Sequence, residues 1–144
     1  MNNCPNVSIA FISENTYTQK YPLGAFIEKH LTKNHKILRY YTTEFLENPI
    51  NILKENLDTF TITEWIKELP EFDILILEDA HELNEKISTQ VFLGNILIEL
   101  INNRKKIIVT SAEEATELHT LKEHLYSNLL KENILEIDFQ NDLF

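Results

Sequence analysis

The chain has only 2 glycines among its 144 residues. A loop that wraps phosphates with backbone N–H groups uses glycine, because glycine alone reaches positive φ without steric cost. Such a cradle has almost no material here. Cys4 is the only cysteine, which excludes an internal disulfide and suits a reducing compartment. Positive charge is scarce too: 13 Lys and Arg stand against 23 Asp and Glu, a formal net charge of −10. Contacts to nucleic-acid phosphates need clustered cations, so the overall field argues against nucleic acid and for a basic protein surface as partner. No apolar run approaches the roughly 20 residues that cross a bilayer. The start, MNNCPNVSIAF, has no basic segment ahead of an apolar one, so a signal peptide is not expected and a cytoplasmic location is. Hydrophobic residues make up 43%, enough for the core of one domain.

The most informative stretch is FDILILEDAHEL, Phe72 to Leu83. Its apolar run ends abruptly in Glu78 and Asp79. Buried parallel strands read as such runs, and an open α/β sheet places its site at their C-terminal ends. Acids there hold a metal or polarise a water. They also occur where a buried strand simply leaves the core, and the residues alone leave both readings open.

Strand and helix signals alternate along the chain. Val7 to Ile12, Lys36 to Tyr41, Phe72 to Leu77, Lys106 to Thr110 and Ile134 to Phe139 read as strands. Leu23, Phe26, Ile27 and Leu31 recur at helical spacing after Pro22. Thr42 or Thr43 is expected to cap a helix carrying Phe45 and Leu46, with Pro49 interrupting its apolar stripe, and Thr63 to cap a short helix ending at Pro70. Ile87 to Ile101 and Leu118 to Leu130 complete the helices. The order predicts a three-layer α/β fold: a five-stranded parallel sheet with helices on both faces. Trp65 and Phe92 sit on apolar stripes and read as core. The five histidines show no compact metal spacing, no metal site is expected, and Ser111 lacks a nucleophile elbow.

The order of strand, loop and helix, then an acidic strand end, then a strand ending in Thr110–Ser111, resembles a P-loop ATPase. FDILILEDAHEL, the helix after it and KKIIVTSAEEATEL are similar to the AAA+ domain of the bacterial replication initiator DnaA and its short regulatory relative Hda. KILRYYTTEFLENPI resembles the second strand and following helix of that domain, and LKEHLYSNLLKENILEI the segment carrying its arginine finger. The resemblance covers roughly Val7 to Asp138 and implies an AAA+ core over residues 1–139.

The departures from the family pattern are specific. In the window matching GxxxxGK[ST], ENTYTQKY, Lys20 keeps the phosphate lysine. Glu14 and Gln19 replace both glycines, and Tyr21 replaces the hydroxyl residue that would hold magnesium. Glu14 also sets a negative charge where phosphate would lie. By resemblance Glu78 stands at the metal-holding acid and Asp79 at the water-polarising one. Ala112 replaces a sensor Asp, His124 an arginine and Asn128 the arginine finger, whose guanidinium stabilises transition-state charge. The similarity stops short of the helical lid and of the DNA-binding domain. The expectation is a protein with no cofactor, no ATPase activity and no sequence-specific DNA binding.

The last five residues, QNDLF, resemble the QL[SD]LF peptides that bind the bacterial sliding clamp, with Gln140, Asp142, Leu143 and Phe144 fitting and Asn141 departing. In such peptides a Leu-Phe pair fills an apolar pocket while Gln supplies directed hydrogen bonds. The expected function is non-catalytic regulation of replication initiation. Residues 140–144 would bind the DNA polymerase sliding clamp, and the domain face around Ser111, His124 and Asn128 would meet DnaA or another replisome AAA+ protein. The alternatives are a divergent ATPase using Lys20, Glu78 and Asp79, or a structural subunit of a replication complex with the tail packed inward.

Overall fold

The computed structural model describes residues 7–14, 23–54, 62–112, 118–126 and 129–139. Among them five strands form one sheet: β1 (Ile9–Glu14), β2 (Ile37–Tyr41), β3 (Ile74–Glu78), β4 (Lys106–Ala112) and β5 (Ile134–Phe139). The spatial order is β2-β3-β4-β1-β5, and every pair is parallel. The helices are α1 (Leu23–Leu31), α2 (Thr42–Lys54), α3 (Ile62–Lys67), α4 (Ile87–Asn102) and α5 (Leu118–Tyr126), with a 3-10 turn at Ala80–Leu83 and another at Lys131–Asn133. This is the α/β sheet flanked by helices that the alternation predicts.

Side-chain alternation sorts the layers. Leu38 and Tyr40 of β2, Leu75 and Leu77 of β3, Val109 of β4 and Phe11 of β1 face the main core. There they meet Phe45 and Leu46 of α2, Trp65 of α3, Leu93, Ile96, Leu97 and Leu100 of α4, and Leu121 and Leu125 of α5. Phe45 joins Tyr40 to Trp65 through ring contacts of 5.6 and 5.2 Å. Trp65 is buried and Phe92 packs against the core, so both are packing residues, as their stripes predict. The opposite face carries Arg39, Ile76 and Glu78, and α1 lies over it on β2 and β3.

Several local expectations need correction. Neither threonine caps α2. Thr42 is its first residue and is buried, with Oγ1 donating to the Glu78 carbonyl at 2.8 Å. The free Tyr41 N–H is taken instead by the Glu44 carboxylate at 3.1 Å, the backward half of a capping box. Thr63 lies inside α3 and bonds Glu99 at 2.9 Å. Pro49 does not interrupt α2, which runs through it with Pro49 buried, because its packing outweighs one lost backbone bond. The described part of α5 ends at Tyr126, and Leu130 is extended (φ −79°, ψ 144°), so no helix reaches Leu130. β1 and β4 run on to Glu14 and Ala112, past the ends of their apolar runs.

Candidate functional site

The strand order locates the site. β1 and β4 are neighbours, yet the chain leaves β1 toward β2 at one edge and leaves β4 toward β5 at the other. Adjacent strands whose connections part in this way form the crevice where open α/β sheets bind ligands. Glu14 and Ala112 stand side by side at its rim, with Ser13 and Ser111 one step below. Glu78 ends the next strand, β3.

Three acids converge on this edge and point different ways. Glu14 is 6% exposed, a buried carboxylate at the mouth of the crevice. Glu78 is 2% exposed and faces α1 rather than the crevice. Its Oε2 accepts from Arg39 Nη1 at 2.6 Å, and Arg39 Nε in turn donates to Glu28 Oε1 at 2.8 Å. The hydrogen bond to Glu28 raises the guanidinium pKa above its ordinary value against the opposing effect of burial, with Glu78 adding to the rise. The Glu78 carboxyl also lies against Gly24 of α1, so closely that a Cβ at Gly24 would overlap it. Asp79 turns away from both. It adopts a left-handed conformation (φ 58°, ψ 48°), and its N–H approaches Thr110 Oγ1 at 3.4 Å. With Glu44, Glu47 and Glu82 it lines an open groove of about 780 Å³ against α2. Among the described residues four carboxylates and no lysine or arginine line that groove, a poor receptor for phosphate.

Behind the crevice, hydrogen bonds tie the elements together. The Ala112 N–H donates to His81 Nδ1 at 3.0 Å, fixing the end of β4 to the turn after β3. Gln90 Nε2 donates to the Leu83 carbonyl at 2.7 Å, while its Oε1 meets His124 Nδ1 at 2.6 Å. Ser111 is 1% exposed and its Oγ has no hydrogen-bond partner. His124 is half-buried and engaged with Gln90. Gln19, Lys20, Tyr21, Asn128 and Gln140 to Phe144 lie outside the described residues, and Asp142 with them.

The sequence reading missed Arg39, Glu28 and Gly24. One signal was available: a single arginine inside a short strand of a buried sheet requires a partner, and an acid ends a nearby strand.

Comparison with known proteins decides the family. The bacterial DnaA ATPase domain matches residues 5–135, nearly the whole chain. The chain belongs to this family. Among curated relatives, the chromosomal replication initiator DnaA of Limosilactobacillus fermentum is 29% identical over 94 residues, 65% of this chain. That of Buchnera aphidicola subsp. Cinara cedri is 30% identical over 91 residues, 62% of this chain. Both matches span only 20% of the relative. Domain III of Thermotoga maritima DnaA superposes with a TM-score of 0.61 at 18% identity, covering 94% of this chain and 56% of that one. A replication initiator DnaA bound to AMPPCP and single-stranded DNA superposes with 0.60 at 20% identity, covering 95% and 42%. These likenesses share the fold. This DnaA-family domain is described by no helix long and apolar enough to cross a membrane among its described residues.

A nucleotide in such a fold implies a divalent cation. Magnesium beside a nucleotide takes one or two carboxylates at about 2.0–2.1 Å in near-octahedral geometry, with waters and phosphate oxygens completing the shell. Here one Glu78 oxygen is held by Arg39 and the other lies against Gly24. Asp79 faces a different groove, and no group of three His, Cys, Asp or Glu among the described residues is arranged to hold a metal. These residues do not fit a divalent ion.

Proposed function

We propose that this DnaA-family domain regulates replication initiation without hydrolysing ATP, in the manner of an Hda-type adaptor. The observation that carries this reading is Glu14. Its buried side chain ends β1 at the crevice beside Ala112, where a phosphate loop carries a glycine, and so fills space that phosphates would need. The neighbouring sequence supports it, since Gln19 and Tyr21 stand where a phosphate loop has glycine and a hydroxyl residue.

An adaptor needs partners. Gln140 to Phe144 would take the DNA polymerase sliding clamp through Leu143 and Phe144, with an affinity of about micromolar for one short motif. The α5 side would meet DnaA or another replisome AAA+ protein. A cleft of about 850 Å³ runs there between α5 and β5, lined by Lys122, Tyr126, Leu129 and Ile134 among others. With Asn128 in place of the finger arginine, tethering or sequestration of the partner is the mechanism, rather than stimulation of its hydrolysis.

Calorimetric titration with purified clamp tests the tail. The full chain should bind, and a Leu143→Ala/Phe144→Ala chain should not. Absence of binding by the full chain removes the clamp from the proposal. A rise in melting temperature with millimolar ATP in EDTA removes the claim that the crevice rejects phosphate, because a bound ligand at a hundred times its Kd adds about 2.7 kcal/mol.

A further inference from the structure

We infer that Arg39 is a tethered cation, filling at Glu78 the charge-neutralising place of a divalent ion, so that this domain closes its β2–β3–α1 corner without metal. The inference rests on the proposed non-hydrolytic reading only in taking Glu78 as the family's metal-side acid. Its own support is geometric. Glu78 is nearly fully buried, and a buried carboxylate without a counter-charge is strongly destabilising. The counter-charge comes from the adjacent strand. Arg39 is registered beside Ile76, two residues before the Tyr41–Glu78 pair, on the same face of the sheet. A long side chain spans that diagonal. Its Nη1 reaches Glu78 Oε2 at 2.6 Å. The guanidinium is itself held from the other side by Glu28 of α1 at 2.8 Å, so one cation joins β2, β3 and α1.

The second observation is Gly24. Its missing Cβ leaves room for Glu78 Cγ and the carboxyl, which would stand 2.6 and 2.5 Å from it. The glutamate therefore lies under α1, pressed toward β2 and away from the crevice. An ion approaching from the crevice would find one oxygen held by Arg39 and the other turned under α1 beside Gly24. Metal independence is thus built into the packing of this corner and does not depend on whether the phosphate loop works.

The test uses the full chain, with Mn2+ as the probe and two readouts: free Mn2+ by electron paramagnetic resonance, and melting temperature without nucleotide. Wild type should leave millimolar Mn2+ free and its melting temperature unshifted. Arg39→Met should lower the folded-to-unfolded ratio by about a hundredfold, because it leaves Glu78 buried and unpaired. Mn2+ should restore part of that loss. In Arg39→Met/Glu78→Met, which removes both charges, most of the stability should return and the Mn2+ response should vanish. Should Arg39→Met fail to fold, the double variant still tests the pairing through its recovery.

Mn2+ bound by wild type and lost in Glu78→Gln would overturn the inference, as would an Arg39→Met chain as stable as wild type. ATP binding in EDTA, with Mn2+ still ignored, would remove the claim that the crevice rejects phosphate and leave the tethered cation standing.

Discussion

The Cα of Gly24 and the carboxyl of Glu78 occupy adjoining space with no room for a methyl group between them: a Cβ on Gly24 would fall 2.6 Å from Glu78 Cγ. Gly24 is the second residue of α1, where alanine would ordinarily be tolerated or favoured. Here Gly24→Ala should destabilise by about 1–3 kcal/mol, the usual cost of overpacking. In a Glu78→Ala background the same change should cost little, giving a coupling energy of about 1 kcal/mol or more in a double-mutant cycle by urea unfolding. A stabilising Gly24→Ala would refute the contact.

Gly94 makes the matching prediction on the other face. A Cβ there would stand 2.5 Å from the backbone carbonyl oxygen of His124, where α4 and α5 press together. Backbone cannot swing aside as a side chain can. Gly94→Ala should therefore cost about 1–3 kcal/mol by overpacking, against the gain of about 1 kcal/mol expected for the same change in an exposed helix. Denaturant midpoints give the sign directly.

Tyr126 should respond to alkali. Burial, with Glu136 nearby, pushes its hydroxyl pKa well above the ordinary tyrosine range. The folded-state pKa is raised, so the contribution to stability is complete below the unfolded pKa and is lost as pH rises above about 10. Tyr126→Phe should remove that part of the alkaline loss. At neutral pH the variant should be neutral or about 1 kcal/mol more stable, because the buried hydroxyl has no hydrogen-bond partner. Thermal unfolding of both chains at pH 7 and pH 11 checks each half.

Arg104 closes α4 in a position suited to glycine. Its φ is 66°, its N–H bonds the Ile101 carbonyl at 3.0 Å, and the Lys105 N–H bonds Leu100 at 3.0 Å. This is the hydrogen-bond pattern of a Schellman end, and a left-handed residue with a Cβ costs about 1–2 kcal/mol. Arg104→Gly should stabilise by roughly 1 kcal/mol, the left-handed relief outweighing the extra chain entropy of glycine. A lower melting temperature in this variant would contradict it.

Much of the fold was legible because it follows from local pattern. Apolar β-branched runs made the strands, 3.6-residue stripes made the helices, and their alternation required a parallel sheet. The caps were less legible. Thr42 has the chemistry of a cap, but burial against β3 gives its hydroxyl the Glu78 carbonyl as acceptor, and Glu44 caps in its place. Pro49 reads as an interruption, yet packing carries α2 through it.

The sequence by itself determined the family-like order of motifs, the acidic charge, the paired acids at the end of β3 and the absence of glycine from the window Glu14 to Tyr21. These are properties of residue type and spacing, and they need no partner in space. Only the tertiary structure decided what the acids do. Neighbouring residues at a strand end point to opposite sides, so Glu78 went under α1 to Arg39 and Gly24 while Asp79 went to the groove beside α2. Arg39 lies 39 residues from Glu78 in the chain and meets it because β2 and β3 pair in one register. A one-residue slip of that register would turn the arginine to the apolar face, and the packing of Leu38 and Tyr40 against the core is what holds the register.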